Sequence, residues 1–245
     1  MPKEKGADGA GTFERMGLEE AVLKAVRKRG YRVPTPVQRK AMPLALEGHD
    51  VVAMARTGSG KTAAFLLPLL HRLRQHAERS NPRAAVLAPT RELALQTLSF
   101  ARQLGRNTSL RTCALVGGDA LESQFHSLSL CPDIVVATPG RLLHHLDEVP
   151  SFALSSLQSL VLDEADRLFE LGLGEQIRDL LKRAPDSRQT LLFSATLPSV
   201  VADFAQAGLK NPSVVRLDTE NKISNDLEVR FICQIHALSA PVSVP

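Results

Sequence analysis

The fold is decided by residues 51–62, which read VVAMARTGSGKT. A short apolar run of strand length leads into a glycine-rich turn, and a helical pattern follows, which is the sequence context of a phosphate-binding loop. Gly58 and Gly60 allow a tight turn that aims successive backbone N–H groups inward. The start of the helix adds partial positive charge. The stretch therefore predicts a polyphosphate site between a strand and a helix.

Two side chains of this loop have predicted roles. Lys61 is expected to reach the β- and γ-phosphates of a nucleotide, and the Thr62 hydroxyl to ligate Mg²⁺. The usual loop begins with glycine, and Ala55 stands in that place. The alternative is a glycine-rich turn with an exposed lysine, but a chance match to GSGKT in this length is on the order of 10⁻⁴. The candidate nucleotide-binding residues here are Ala55, Arg56, Thr57, Gly58, Ser59, Gly60, Lys61 and Thr62.

A second apolar run ends in acids, because residues 160–166 read LVLDEAD. In doubly wound sheets, ligands bind beyond the carboxyl ends of the strands. Asp163 is therefore a candidate to hold Mg²⁺ through water, since this ion keeps much of its hydration shell. Glu164 is a candidate general base for an attacking water. The alternative is an acidic N-cap of a helix.

Seven apolar runs alternate with amphipathic stretches along the chain. Runs of this length and composition are typical of parallel strands that are covered on both faces, and the alternation predicts an α/β fold: one doubly wound, mostly parallel sheet with helices on both faces. The predicted strands are 51–55, 84–88, 113–116, 134–137, 157–162, 190–193 and 214–217. The predicted helices are 18–28, 36–47, 61–76, 91–104, 120–128, 141–147, 175–182 and 200–207.

Composition excludes several classes of protein. With 245 residues, 44% of them apolar, the chain can bury a core and is not intrinsically disordered. The longest apolar stretch, residues 63–70, is too short to cross a membrane. The polar N-terminus lacks a secretory signal and the three cysteines have no metal spacing, so an intracellular, non-secreted protein is predicted. A net charge of +4 permits a polyanionic partner without requiring one.

Together with the two motifs above, further motifs occur in the order found in DEAD-box ATP-dependent RNA helicases, and the chain resembles the N-terminal RecA-like lobe of that family. The resemblance covers about residues 13–230. The additional motifs are a Q motif at 30–38 (GYRVPTPVQ) with Phe13 upstream, PTREL at 89–93, the glycine pair at 117–118, TPGR at 138–141 and SAT at 194–196.

The resemblance implies a role for each motif. Gln38 and Tyr31 would recognise adenine, Gln38 by a bidentate amide contact and Tyr31 by stacking. Ser194 and Thr196 would link Asp166, itself counted with the ATP site, to a neighbouring lobe. The implied ligands are ATP, Mg²⁺ and RNA held by its backbone. The implied RNA-binding residues are Pro89, Thr90, Arg91, Gly117, Gly118, Thr138, Pro139, Gly140 and Arg141.

Simpler interpretations stay open for several of these residues. PTRE and TPGR both read well as helix starts, so helix capping is an alternative at each loop, although a capped helix start still offers N–H groups to a phosphate. Tyr31 could be a core aromatic with a hydrated hydroxyl. His144 and His145 are interpreted as an exposed helical pair rather than a metal site.

The predicted organisation has three parts. Residues 1–12 are expected to be a disordered N-terminus, residues 13–230 an ATP-binding helicase domain that includes the Q motif at 11–39, and residues 231–245 an irregular tail. The Arg-Gly-Asp and His-Arg-x-Gly-Arg-x-x-Arg motifs of the family's second RecA-like lobe do not occur in the 245 residues. The second lobe is therefore expected to be missing from this chain.

Three functional hypotheses follow. The first is the ATP-binding half of an RNA-dependent ATPase and helicase, which hydrolyses ATP when a second lobe completes it. The second is a truncated ATP- and RNA-binding module with little catalytic activity, and the third an unrelated P-loop ATPase. Lys40, residues 54–56 and residues 217–224 resemble the nucleolar branch of the family. That branch implies ribosome biogenesis, pre-ribosomal particles as partners and a location in the nucleus or nucleolus.

Overall fold

The computed structural model describes residues 12–78 and 81–217. Its seven strands form one sheet in the order β3-β4-β2-β5-β6-β1-β7, and every neighbouring pair is parallel. The strands are β1 (Val51–Met54), β2 (Ala84–Leu87), β3 (Thr112–Leu115), β4 (Ile134–Ala137), β5 (Ser159–Leu162), β6 (Gln189–Ser194) and β7 (Ser213–Arg216). The predicted α/β sheet is confirmed, and every predicted strand is found.

Helices connect the strands. They are α1 (Glu20–Lys28), α2 (Pro36–Leu46), α3 (Lys61–Leu73), α4 (Arg91–Leu104), α5 (Leu121–Ser129), α6 (Pro139–Glu148), α7 (Ala165–Glu170), α8 (Gly174–Arg183) and α9 (Ser199–Gly208), with a 3₁₀ helix at Phe13–Met16. The 3₁₀ helix and α7 were not predicted, because each is too short to show an apolar period. Among the described residues, no helix is long and apolar enough to span a membrane.

Side chains of each inner strand alternate between two apolar layers. In β2, Val86 packs in the layer of α1–α4, and Ala85 and Leu87 pack in the layer of α5–α9. This period of two, with both faces buried, explains why the inner strands read as continuous apolar runs. Helices on both faces are thereby confirmed.

The edge strands differ from the prediction that all strands are covered on both faces. In β3, Thr112 and Ala114 are only half-buried, and in β7 Val214 is 55% exposed. Each of these strands has a single hydrogen-bonded neighbour, so a second strand does not shield it and a helix covers only part of it.

Because the strands are parallel, the loops that carry motifs and follow the carboxyl ends of the strands all lie at one edge of the sheet. Because the carboxyl ends of β1, β5 and β6 are adjacent, the loops that follow them meet in one half of that edge. The ends of β3, β4 and β2 form the other half. Residues 1–11 and 218–245 lie outside the described residues, and with them nearly all of the predicted disordered N-terminus and the whole of the 231–245 tail.

Candidate nucleotide and RNA site

The phosphate-binding loop connects β1 to α3. Gly58 and Gly60 both have positive φ, +78° and +93°, a conformation that other residues rarely adopt. A Cβ on Gly60 would lie 2.6 Å from the Gln38 Nε2 atom, so glycine is also required by the close approach of α2. The first N–H groups of α3, which begins at Lys61, have no partners within the helix. The loop therefore has the form of an anion cradle.

Lys61 is buried at the start of α3. Its Nζ donates to the Ala55 carbonyl oxygen at 2.5 Å, within its own loop. Desolvation lowers the pKa of Lys61, and the charges of Asp163, Asp166 and Glu164 oppose that effect. A phosphate group beside Lys61 would add a further negative partner for a cation that has little access to water.

Asp163 and Glu164 follow β5 directly. Asp163 is 3% exposed, and its Oδ1 accepts a hydrogen bond from the Glu164 N–H at 3.0 Å. Burial, together with the Glu164 charge, raises the pKa of Asp163 to about 7. Glu164 adopts φ +47° and ψ +54°, a left-handed conformation that costs energy for a residue with a Cβ. A buried, poorly compensated carboxylate beside a strained residue is typical of a functional site.

Asp166 lies one turn further and is bound to the loop after β6. Its Oδ2 accepts from the Thr196 N–H and Thr196 Oγ1, both at 2.9 Å, and from the Ala195 N–H at 3.2 Å. Its own N–H donates to Ser194 Oγ at 3.1 Å. Burial alone would raise the pKa of Asp166, but these hydrogen bonds outweigh it and lower the pKa. The structure thus joins the acidic motif at 160–166 to the SAT motif at 194–196, with the Asp166 carboxylate bound by Ala195 and Thr196.

Gln38 has two partners of its own. Its Oε1 accepts from the Thr35 N–H at 2.9 Å, which caps α2, and its Nε2 donates to the Gly60 carbonyl oxygen at 3.1 Å. The amide therefore ties α2 to the phosphate loop, a role that the sequence did not indicate. An adenine contact by Gln38 stays a prediction, and it would require this amide to share or exchange these partners.

A cavity of about 530 Å³ lies against the loop. Tyr31, Gln38, Lys61, Thr62 and Asp163 all line it, so the structure brings the predicted base and phosphate residues together. Side chains of α4 also line the cavity, and the sequence does not indicate them because they belong to an ordinary amphipathic helix. These residues are Leu93, Gln96, Thr97 and Phe100.

A cation stacks on two of the aromatic side chains that line the cavity. The Arg29 guanidinium lies 4.7 Å from the centroid of the Phe100 ring and 5.8 Å from that of Tyr31. Both distances are within the range of cation–π attraction. Arg29 therefore connects Tyr31 of the Q motif to Phe100 of α4, two aromatic side chains that line the cavity.

A buried hydroxyl in the phosphate loop tests whether a nucleotide with Mg²⁺ fits. Ser59 Oγ has no hydrogen-bond partner within the described residues. A buried polar atom without a partner is costly, and a bound ligand or water removes the cost. With Thr62 and Asp163 as oxygen donors, the chemistry suits a hard cation and a polyphosphate. The residues present therefore fit the group.

The predicted RNA-binding loops lie along the other half of the edge. Pro89 and Thr90 follow β2, and Thr90 Oγ1 accepts from the Leu93 N–H at 3.2 Å to cap α4. Arg91 donates to the Gly117 carbonyl oxygen at 2.7 Å and forms an ion pair with Asp119 at 2.7 Å. The loop after β2 is thereby fixed to the glycine-pair loop after β3.

The loop after β4 completes this half. Thr138 precedes α6, Pro139 is its first residue, and Gly140 is exposed. Arg141 reaches the Asp119 carbonyl oxygen at 3.5 Å. Capping and a phosphate contact remain compatible at these helix starts, so the RNA assignments stay predictions.

The pair His144 and His145 differs from its interpretation. His144 is exposed, but His145 is fully buried and its Nε2 lies 3.0 Å from Gln124 Oε1. Consecutive helical residues point about 100° apart, so one faces the core. No cluster of metal-ligating side chains occurs in residues 12–78 and 81–217.

Comparison with known proteins decides the family. The DEAD/DEAH box helicase family model matches residues 35–204. The chain belongs to this family. At 57% identity over 236 residues it is similar to DEAD-box ATP-dependent RNA helicase 29 of Oryza sativa subsp. indica, and at 55% over 230 residues to ATP-dependent RNA helicase DBP10 of Phaeosphaeria nodorum.

These alignments cover 94% of the chain but 28% and 26% of the two relatives, so the chain spans about a quarter of their length. A crystal structure of a DEAD box protein from Methanococcus jannaschii superposes with a TM-score of 0.77 at 34% identity. It covers 83% of this chain, and the chain covers 55% of it. The RecA-like fold of this helicase domain is therefore established on both sequence and structure.

Proposed function

We propose that the chain is the ATP-binding lobe of an ATP-dependent RNA helicase. In this proposal it binds ATP with Mg²⁺, holds RNA by its backbone and hydrolyses ATP when a second RecA-like lobe completes the site. The observation that carries the proposal is the pair of buried charges, Lys61 and Asp163, that line one cavity with Gln38 and Tyr31. Desolvation outweighs the attraction between these opposite charges, so burying them is costly, and a charged ligand would add compensation.

Different residues of the chain bind the phosphates, ligate the metal ion and accept the proton. The backbone of the phosphate loop and Lys61 hold the phosphates, Thr62 and Asp163 supply oxygen ligands, directly or through water, and Glu164 accepts a proton from the attacking water. Bound Mg²⁺ supplies charge neutralisation at the phosphates. The link from Asp166 to Thr196 connects this site to an exposed loop after β6, where a second lobe could sense it.

RNA binding is assigned to the other half of the edge. Arg91, Arg141 and the exposed glycine pair, Gly117 and Gly118, form a polar surface suited to phosphates and sugars. Such contacts bind without reading the base sequence and weaken with salt. The proposal therefore includes single-stranded RNA of any sequence as ligand.

Base selectivity tests the nucleotide half. Calorimetry with ADP, GDP and UDP should show an adenine preference of about tenfold or more. A base that cannot match the donor and acceptor of the Gln38 amide leaves these groups unpaired and therefore binds less tightly. Gln38→Ala should reduce this preference. Gln38→Glu serves as the matched control, since its carboxylate still accepts the Thr35 N–H that caps α2. Equal affinities of the wild-type chain for all three nucleotides would contradict the adenine site.

Turnover tests the need for a second lobe. The 245 residues contain none of the second-lobe arginine motifs, and an arginine at the γ-phosphate contributes 10³–10⁵ in rate in related phosphoryl transfers. Isolated residues 1–245 should hydrolyse ATP at least about 10³-fold more slowly than a two-lobed relative, with no unwinding. Glu164→Gln provides the blank for contaminating activity. RNA-stimulated phosphate release well above that blank would overturn this part.

The biological role is the finer part of the proposal. We propose that the protein acts on pre-ribosomal particles in the nucleolus, supported by the resemblance at Lys40, residues 54–56 and residues 217–224. Fluorescence microscopy of the tagged protein and its sedimentation with pre-ribosomal particles test this role. A uniform cytoplasmic signal without sedimentation would contradict it.

A further inference from the structure

We propose that Gln124 and His145 form a buried strut that positions the glycine-pair loop, residues 116–119, for contact with the RNA backbone. Neither side chain is exposed enough to contact RNA, since Gln124 is 3% and His145 0% exposed. Both are therefore positioning residues. The inference rests on the proposed RNA-binding function and adds two residues that carry none of the family motifs found in the sequence.

The Gln124–His145 strut contacts the loop from its buried side. Gln124 Nε2 donates to the Val116 carbonyl oxygen at 2.9 Å and lies 3.5 Å from the Asp119 carbonyl oxygen. One amide thus contacts both ends of a four-residue loop. On its other side, Gln124 Oε1 lies 3.0 Å from His145 Nε2.

The hydrogen-bond chain fixes the proton on His145. Because the Gln124 nitrogen donates to carbonyls, its oxygen must accept, so His145 Nε2 carries the hydrogen. Burial, with the nearby charges of Arg141 and His144, lowers the pKa of His145 to about 4. The imidazole is therefore neutral at physiological pH. The Phe125 ring packs against it edge to face, with the two ring centroids 5.2 Å apart.

Two arginines hold the same loop from outside. Arg91 donates to the Gly117 carbonyl oxygen at 2.7 Å, and Arg141 reaches that of Asp119 at 3.5 Å. Side chains from α4, α5 and α6 thus bind three of the four carbonyls of the loop, those of Val116, Gly117 and Asp119. Within the described residues, the N–H groups of Gly117 and Gly118 have no acceptor, and Gly118 has φ +87°. Carbonyls bound on the protein side leave these donors for a phosphate.

The polarity of the strut supports positioning over simple packing. An apolar pair could fill the same space without desolvating an amide and an imidazole. What an apolar pair could not do is donate to the buried Val116 carbonyl and fix the angle of the loop. The strut therefore serves the loop conformation.

The experiment compares two substitutions at one position in the full chain. His145→Leu removes the donor to Gln124 Oε1, whereas His145→Gln keeps an amide donor. Anisotropy with a fluorescein-labelled, mixed-sequence single-stranded RNA measures affinity, and calorimetry with ADP measures the nucleotide site. His145→Leu and Gln124→Leu should weaken RNA binding about 3- to 10-fold, which is the effect of one broken buried hydrogen bond. ADP affinity should stay within twofold of the wild type.

Controls separate positioning from stability. His145→Gln should recover most of the RNA affinity. His144→Leu, at the exposed neighbouring residue, should change neither the RNA affinity nor the ADP affinity. The inference is overturned when His145→Leu and His145→Gln bind RNA equally, or when ADP affinity falls as much as RNA affinity. If Gln124→Leu does not fold, the His145 pair still decides between these results.

Arg141→Ala distinguishes the strut from the proposed function beneath it. Weakened RNA binding in Arg141→Ala with normal binding in both strut variants overturns the strut alone. Absence of RNA binding by the wild-type chain overturns the proposed function and the strut together.

Discussion

Asp133 and Asp163 are buried carboxylates, 2% and 3% exposed. Asp133 lies at the edge of the sheet where the parallel strands begin, and Asp163 lies at the opposite edge, where the strands end. Asp133 precedes β4, where it contacts Arg83 at 2.6 Å and His76 at 2.8 Å and accepts hydrogen bonds from the backbone N–H groups of Ala77 and Arg111. Asp163 follows β5, where the Glu164 N–H is its hydrogen-bond donor among the described residues. The same type of side chain therefore lies in two different environments at the two ends of the strands.

The pKa values record the difference. Burial would raise the pKa of Asp133, but the hydrogen bonds from Arg111, His76, Arg83 and Ala77 outweigh it and the pKa is lowered. At Asp163 burial prevails and the pKa rises to about 7. At the edge where strands begin, Asp133 is saturated with partners and stabilises the fold, whereas at the edge where strands end, Asp163 has few partners and its charge is under-compensated, which suits a site for a ligand.

The largest expected effect is at Asp133, at the edge where the strands begin. Asp133→Asn leaves the Arg83 guanidinium buried without its anion and should lower the free energy of unfolding by about 3–5 kcal/mol, measured by urea denaturation at pH 7. Because the folded-state pKa of Asp133 is lowered, its contribution is present above about pH 4 and lost as pH falls through the folded value. The penalty should therefore shrink in acid.

The control for Asp133 is an exposed ion pair. Asp147→Asn breaks a contact with Arg183 at a half-exposed position, where such pairs contribute at most about 1 kcal/mol. Equal effects of the two substitutions would remove the distinction between the edges.

An effect of opposite sign is expected at the other edge. Without nucleotide or Mg²⁺, Asp163→Asn should stabilise the protein at pH 8 by about 1–3 kcal/mol, because it removes a carboxylate that ionises at a cost. The attraction to Lys61 that is lost reduces the gain. Since the folded pKa is raised, wild-type stability falls as pH rises from about 4 to 7, so the advantage of Asp163→Asn should grow over that range and then level off.

Thermal denaturation between pH 5 and 8 measures the gain. Asp166→Asn is the matched control, because its carboxylate accepts three hydrogen bonds from Ala195 and Thr196 and its loss should destabilise the protein. A pH-independent difference between Asp163→Asn and the wild type would show that Asp163 does not titrate near neutrality.

The same contrast explains what the sequence could reveal. Val86 and its neighbours on β2 are continuous apolar residues because helices cover both faces, so the strands and their parallel direction could be predicted, although their order in the sheet was not. Gly58, Lys61 and Asp163 could be predicted as a site because phosphate chemistry restricts residue types at fixed spacing. These signals are local in the chain, and the structure confirms the fold that they indicate.

The remaining features depend on contacts distant in sequence. Phe100 lines the cavity through a helix whose pattern is that of any amphipathic helix, and His145 is buried although it reads as half of an exposed pair. Gln38 binds Gly60 across 22 residues. Helical periodicity indicates which face of a helix is apolar, but not which partner a polar side chain meets across the fold, so these roles are visible only in the three-dimensional structure.

The smallest expected effect concerns backbone strain at the carboxyl edge. Glu164 has φ +47° and ψ +54°, which costs a residue with a Cβ roughly 1–2 kcal/mol, whereas glycine adopts it freely but loses more chain entropy on folding. Glu164→Gly should therefore raise the free energy of unfolding by about 0.5 kcal/mol, while Glu164→Gln, which keeps the Cβ and removes the charge, should gain less. Urea denaturation of both variants at pH 5 minimises the contribution of repulsion from Asp163, which is protonated there. If Glu164→Gly is no more stable than Glu164→Gln, the strain is not stored at this residue, and the contrast between the two edges is one of charge alone.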